Sequence, residues 1–236
     1  MKGTQFVDLR DIGDPVALAE RYEQEGADEI VFLDISASTE ERGTLLDVAR
    51  RTAERLFVPL TIGGGVRTAD DVARVLRAGA DKVSINSAAV DRPQVLTDSA
   101  HRFGAQCVVA SIDAKRIDGA WRVVTHGGRT PTALDPIAWA RECVDRGAGE
   151  ILLTSIDRDG ARIGYDLELT QATADAVPVP VIASGGAGTA QHVVDAIVDG
   201  HADAALVAGI VHDGVTTVRQ IKRAMQDAKL AIRSAA

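Results

Sequence analysis

Aromatic side chains are scarce in this chain: two Trp, two Tyr and four Phe, 3% of 236 residues. That scarcity argues against a stacking platform for single-stranded nucleic acid. Cationic charge is also in short supply, with 26 Lys and Arg against 34 Asp and Glu and a net charge of -8. Broad phosphate-backbone binding is disfavoured, so no nucleic-acid partner is expected and any anion must be held locally. There are only two cysteines, Cys107 and Cys143. Neither they nor the five histidines have metal-like spacing, so no metal and no cofactor are expected, and a reducing, cytoplasmic setting fits. The cysteines read as packing residues. No apolar run approaches a membrane span and the N-terminus has no secretory h-region, so no membrane partner is expected.

Small aliphatic residues are abundant instead, within a 46% hydrophobic composition that can bury a sizeable core. Short Val/Ile/Leu-rich runs without clean alternation predict strands buried on both faces at Ile30–Ile35, Val58–Ile62, Lys82–Asn86, Cys107–Asp113, Glu150–Ser155, Pro180–Ser184 and Ala204–Ala208. Helix starts are legible between them. Asp14-Pro15 and Asp135-Pro136 pair a capping acceptor with a proline, and Ser38–Glu41 and Thr68–Asp71 resemble capping boxes. Glycines 26, 79, 104, 147 and 200 mark helix ends. Repeated strand–helix units predict a parallel sheet.

An internal repeat extends this. Residues 14–30 match 135–151 at an offset of 121, with 8 identities in 17 positions, and Gly63-Gly64 and Ala80-Asp81 recur at 122. Two similar halves, 1–105 and 106–236, predict one domain, a TIM-type (β/α)8 barrel made by duplication. Seven strands are found, and Cys107–Asp113 has no counterpart in the first half. The first strand of the barrel is expected to be missing from this chain, which would leave two unpaired edges and an unstable, inactive fragment.

Two glycine clusters follow strands, Gly63-Gly64-Gly65 and Ser184-Gly185-Gly186-Ala187-Gly188. Glycine permits close backbone approach to an anion, and the following helix start offers N–H groups. Two such sites at duplicated positions predict a bisphosphate substrate at one mouth. Asp34, Asn86-Ser87, Asp113 and Thr154-Ser155 end strands, where barrel active sites lie. Asp113, ending an apolar strand, is the candidate acid–base group. Glu29, Lys82 and Glu150 stand at strand starts. They form either a solvated surface ring or a polar aperture at the barrel floor.

Lys2-Gly3-Thr4, Asp34–Ser38, Gly63–Gly65, Ser84-Ile85-Asn86, Ile112–Arg116, Leu152–Gly160, Gly164-Tyr165-Asp166 and Ala183–Gly188 together resemble the cyclase subunits of imidazole glycerol phosphate synthase, along essentially the whole chain. The resemblance implies an ammonia-dependent lyase of histidine biosynthesis. Such an enzyme converts phosphoribulosyl-formimino aminoimidazole carboxamide ribotide to imidazole glycerol phosphate and aminoimidazole carboxamide ribotide. It implies that Asp113 is one of two catalytic aspartates and that Lys2 lies near the substrate. Gly64, Gly65, Asn86 and Ser87 would hold one phosphate. Asp159, Gly160, Ser184, Gly185, Gly186, Ala208 and Gly209 would line the other, with Thr154 between. It further implies a heterodimer with a glutaminase, docked around Asp28, Glu29, Asp81, Lys82 and Glu150, from which ammonia enters. The family's other aspartate and the arginine of its charged ring fall on the missing strand, and Gly209 stands where serine is common. Two alternatives are the isomerase sister barrel, against which Asp157–Gly160 and Gly164-Tyr165-Asp166 argue, and an inactive phosphate-binding fragment.

Overall fold

The computed structural model describes residues 2–4, 7–10, 13–33 and 41–233, with side chains for 13–33 and 46–233. Its centre is a parallel sheet of seven strands: β3 (Ile30–Leu33), β4 (Leu60–Gly63), β5 (Lys82–Ile85), β6 (Val108–Ile117), β9 (Glu150–Ser155), β10 (Val181–Ser184) and β11 (Ala204–Ala205). They lie side by side in chain order. Each is reached through a helix, which is what parallel neighbours require. The helices are α1 (Pro15–Gln24), α2 (Glu41–Ala53), α3 (Ala69–Arg77), α4 (Ser87–Asp91), α5 (Gln94–Phe103), α6 (Pro136–Asp145), α7 (Leu167–Ala174), α8 (Ala190–Val198), α9 (Gly209–His212) and α10 (Val218–Asp227). The wall is that of a TIM-type α/β barrel. Leu60, Ile62, Val83, Ile85, Ile112, Ile151 and Leu153 fill it, each at most 1% exposed. Among the described residues, no helix is long and apolar enough to cross a membrane.

The predicted caps form. Asp14 accepts from Val16 N, Asp135 from Ile137 N and Ala138 N, and Thr68 and Asp71 complete a reciprocal box. Ser38, Thr39 and Glu40 lie outside the described residues. Gly26, Gly79, Gly104 and Gly147 take positive φ after their helices. After α8 it is His201, φ +55, and not Gly200 that does so. The duplication is visible in hydrogen bonds. Ile30 N to Pro59 O (3.0 Å) recurs as Ile151 N to Pro180 O (2.9 Å), and Leu60 N to Asp81 Oδ2 (2.8 Å) as Val181 N to Asp203 Oδ2 (2.9 Å).

Three expectations are corrected. The strand expected to end at Asp113 continues to Ile117 and folds back as β7 (Ala120–Thr125), which pairs in turn with β8 (Thr130–Pro131). The turn is Asp118-Gly119, both at positive φ, the two-residue geometry that suits strand twist. The last strand stops at Ala205, so Ala208 precedes α9 and Gly209 is its first residue. The opening segment, in which no strand is predicted, contains an antiparallel pair, β1 (Lys2–Thr4) and β2 (Val7–Arg10).

Among the described residues no strand joins β3 to β11. This is the place of the strand for which the repeat finds no counterpart. The helical layer does meet there. Tyr22 Oη lies 2.5 Å from His212 Nδ1, and Glu25 Oε2 accepts from Val218 N (3.1 Å). Asp28 Oδ1 receives Lys222 Nζ (2.7 Å) and Arg233 Nε (2.8 Å). Lys222 is 6% exposed, so its stem packs as well as its charge pairs. Lys222→Ala is expected to cost about 1–2 kcal/mol, because the half-exposed Asp28 keeps Arg233 and water. That corresponds to roughly 2–8 °C in Tm, read by thermal unfolding. An unchanged Tm would show that the two ends are held by other contacts.

Candidate active site

Because all seven strands run the same way, the segments following them share one rim. Asp113 is 4% exposed and stands opposite Thr154 of β9, where β6 leaves the wall for its hairpin. Asn86, just past β5, donates from Nδ2 to Asp113 Oδ2 at 2.9 Å. Burial pushes the Asp113 carboxyl up to about 7. Asn86 and Thr154 pull it down by hydrogen bonding, and the Asp159 charge pushes it up. A carboxyl balanced near neutrality can both give and take a proton. The contact between Asn86 and Asp113 carries no sequence signal, since 27 residues separate them.

The second glycine cluster has a different explanation from the one its sequence suggests. Gly185 and Gly186 take φ of +86° and +111°. A Cβ on Gly185 would sit 2.6 Å from Ser155 O, and Cβ atoms on Gly186 and Gly188 would overlap the carbonyls of Gly164 and Arg162. The close approach is made by the 156–166 loop. Gly164 N bonds Gly186 O (2.9 Å), Tyr165 Oη donates to Leu206 O (2.8 Å), and Asp166 caps α7 through Leu169 N (3.2 Å). The helix starts after both clusters are also capped in part by their own side chains. Asp71 accepts from Arg67 N and Thr68 N (3.0 Å each), and Thr189 Oγ1 from His192 N (3.3 Å). An anion at this rim therefore competes with those caps for the helix starts and draws on the loop groups as well. Gly64, Gly65, Asn86, Ser87, Thr154, Asp159, Gly160, Ser184, Ala208 and Gly209 all lie in or just after the ends of rim-facing strands. Lys2 lies in β1, and Asp34 is outside the described residues.

The opposite rim holds the second constellation. Lys82 Nζ donates to Glu29 Oε2 (2.8 Å) and Glu150 Oε1 (2.6 Å), and Thr61 Oγ1 donates to Glu29. The three charged side chains are 17–22% exposed, which rules out a solvated surface ring. Burial works against the Lys82 charge, but its bonds to Glu150 and Glu29 outweigh this and hold it above the ordinary lysine range. Glu150 Oε2 is buried without a partner among the described residues. Asp28 and Asp81, read as belonging to this group, are bound into the fold, Asp28 by Lys222 and Arg233 and Asp81 by Leu60 N. Cys143 is buried and its thiol pushed up to about 12, in keeping with packing.

The Asp113 carboxyl gives a pH signature. Its folded value lies above the unfolded one, so its contribution to stability is complete below about pH 4 and is lost as pH rises through about 7. Asp113→Asn removes that loss. Its Tm should exceed that of the parent at pH 8 and converge with it near pH 4, in paired thermal melts. A constant offset across this range would remove the buried-charge account.

With this geometry in view, comparison with known proteins is informative. A family model described as histidine biosynthesis protein matches residues 1–217. The chain is 71% identical over 234 residues to the imidazole glycerol phosphate synthase subunit HisF of Myxococcus xanthus (strain DK1622), covering 99% of this chain and 92% of that protein. Its rim of loop donors around a neutral-range carboxyl, and its charged floor, are therefore those of a member of the histidine biosynthesis protein family.

Proposed function

We infer that this chain is the cyclase subunit of imidazole glycerol phosphate synthase, an ammonia-dependent lyase of histidine biosynthesis. The observation that carries the inference is the near full-length identity to the Myxococcus xanthus subunit. The chemistry asks for proton transfers at one place while a long bisphosphate is held at both ends. Ammonia attacks, a C–N bond breaks and the imidazole ring closes, each step moving protons between nitrogen and oxygen. Asp113 is assigned the general acid–base role because its carboxyl is buried and sits at about 7. Gly64, Gly65, Asn86 and Ser87 are assigned to one phosphate. Asp159, Gly160, Ser184, Gly185, Gly186, Ala208 and Gly209 are assigned to the other, with Thr154 between and Lys2 near the substrate. The parallel wall supports this by putting both groups on one rim.

The proposed partner is a glutaminase subunit docked on the opposite rim, delivering ammonia past Glu29, Lys82 and Glu150. Asp28 and Asp81 flank that aperture and hold the fold. The cytoplasm is the proposed compartment, with Cys107 and Cys143 as free thiols.

Asp113→Asn should lower ammonia-dependent turnover by about 10²–10⁴-fold with the fold retained by circular dichroism. Turnover within twofold of the parent at saturating ammonium would refute the assignment. Lys82→Met avoids placing a third carboxylate beside Glu29 and Glu150. It should lower glutamine-dependent turnover of the complex by about tenfold, equivalent to about 1.4 kcal/mol, while ammonium-dependent turnover stays unchanged. Equal loss of both activities would count against the aperture.

A further inference from the structure

His126 follows β7 with φ +55, a left-handed conformation that glycine adopts freely and a side chain resists. Gly127 and Gly128, at φ +67 and +77, come next, so a histidine occupies the strained place beside two glycines. Strain of this kind persists only where surrounding contacts enforce it. Here His126 N donates to Ser87 Oγ at 2.9 Å, and His126 Nδ1 lies 3.0 Å from Thr125 Oγ1. Thr125 is buried, and its Oγ1 also reaches Thr130 O at 3.4 Å. A hydroxyl has one proton to give. With that proton given to the nearer His126 Nδ1 and not to the Thr130 carbonyl, the neutral ring carries its own proton on Nε2, and the anchoring uses Nδ1 alone. The imidazole itself is exposed at the rim.

Ser87 gains from the same contact. Its hydroxyl accepts the His126 N–H, which leaves its own proton to donate elsewhere. Its neighbour Asn86 gives one amide N–H to Asp113. The start of α3, after Gly63–Gly65, is occupied by the Asp71 carboxylate. A phosphate beside Gly65 and Ser87, on a rim that also carries Asp113 and Asp159, thus has the Ser87 hydroxyl as one side-chain donor and is held better by a second.

We propose that His126 is a phosphate-binding residue of the cyclase, its Nε2 meeting the phosphate monoester held at Gly65 and Ser87. This rests on the reading of Gly65 and Ser87 as a phosphate site, and the β7 hairpin is then the element that carries the extra donor to it. The test compares the parent enzyme with His126→Gly, His126→Asn and Ser87→Ala. Glycine keeps the left-handed turn and removes the imidazole. Asparagine tolerates that turn and restores an N–H donor. The readouts are KM and kcat with saturating ammonium, the inhibition constant of inorganic phosphate, and Tm.

His126→Gly should raise KM and the phosphate inhibition constant about ten- to hundredfold, the range for a hydrogen bond to a charged group. Its kcat should stay within about twofold, the mark of lost uniform binding, and His126→Asn should recover most of the affinity. If Ser87→Ala raises both constants and His126→Gly raises neither, His126 is only a staple of the hairpin and the proposal fails while the phosphate site stands. If neither variant moves them, the phosphate lies elsewhere and both readings fall. A lower kcat and Tm with unchanged KM would likewise overturn the binding role.

Discussion

Parallel pairing is the constraint on which everything else in this molecule depends. A strand can lie parallel to its predecessor only if the chain crosses back through a helix, so the two kinds of connection are sorted onto opposite rims. On one rim the turns are short and built for closure. Gly26, Gly79 and Gly147 end helices, and Asp81 and Asp203 each tie a strand start to its neighbour. On the other rim the connections carry the candidate site: residues 64–68 follow β4, Asn86 alone joins β5 to α4, residues 156–166 run between β9 and α7, and Asp113 stands among them. The division of labour between stability and chemistry is thus a consequence of topology.

The two rims treat buried charge in opposite ways. At the floor, Lys82 between Glu29 and Glu150 stays charged because each Nζ bond runs to a carboxylate that needs it. Ion pairing there outweighs desolvation. At the other rim Asp113 has an amide and a hydroxyl for company and, among the described residues, no cation, while Asp159 adds a like charge. Desolvation wins, and the carboxyl moves up into the neutral range. The same composition of acidic residues gives a fixed charge in one place and a titrating group in the other. The partner set decides which.

Local chemistry made part of this legible in the sequence. Asp14-Pro15, Asp135-Pro136 and Thr68–Asp71 cap helices through contacts within four residues, so the residues that state the rule also satisfy it. The repeat supplied the order of the wall. The β6–β7 hairpin is hidden in the sequence despite Asp118-Gly119, because the charged pair Lys115 and Arg116 breaks the apolar run after Asp113. The rest failed through distance along the chain. Asp28 reads as a surface carboxylate of the floor, but Lys222 and Arg233 lie 194 and 205 residues away. Gly185 and Gly186 read as an anion cradle, and only the fold shows that the carbonyls crowding them belong to Ser155 and Gly164.

That last substitution of cause changes what the most distinctive stretch of the sequence means. Gly164-Tyr165-Asp166 contributes no proton donor to the reaction proposed here. Gly164 bonds Gly186, Tyr165 reaches the Leu206 carbonyl beyond β11, and Asp166 starts α7. One loop therefore ties the ends of β9, β10 and β11 together, at the β11 end of the described sheet. An alanine at 186 would meet the Gly164 carbonyl, so the glycine on one loop and the path of the other are not independent choices. Tyr165 is 3% exposed, and burial pushes its hydroxyl well above the ordinary tyrosine range, so it remains a neutral donor to Leu206 across any working pH. The residues that make the resemblance specific are in this stretch the ones that fix where the rim lies. A carboxyl such as Asp113 acts only if its surroundings are held in place, and Asp159, whose charge it feels, is carried on this same loop.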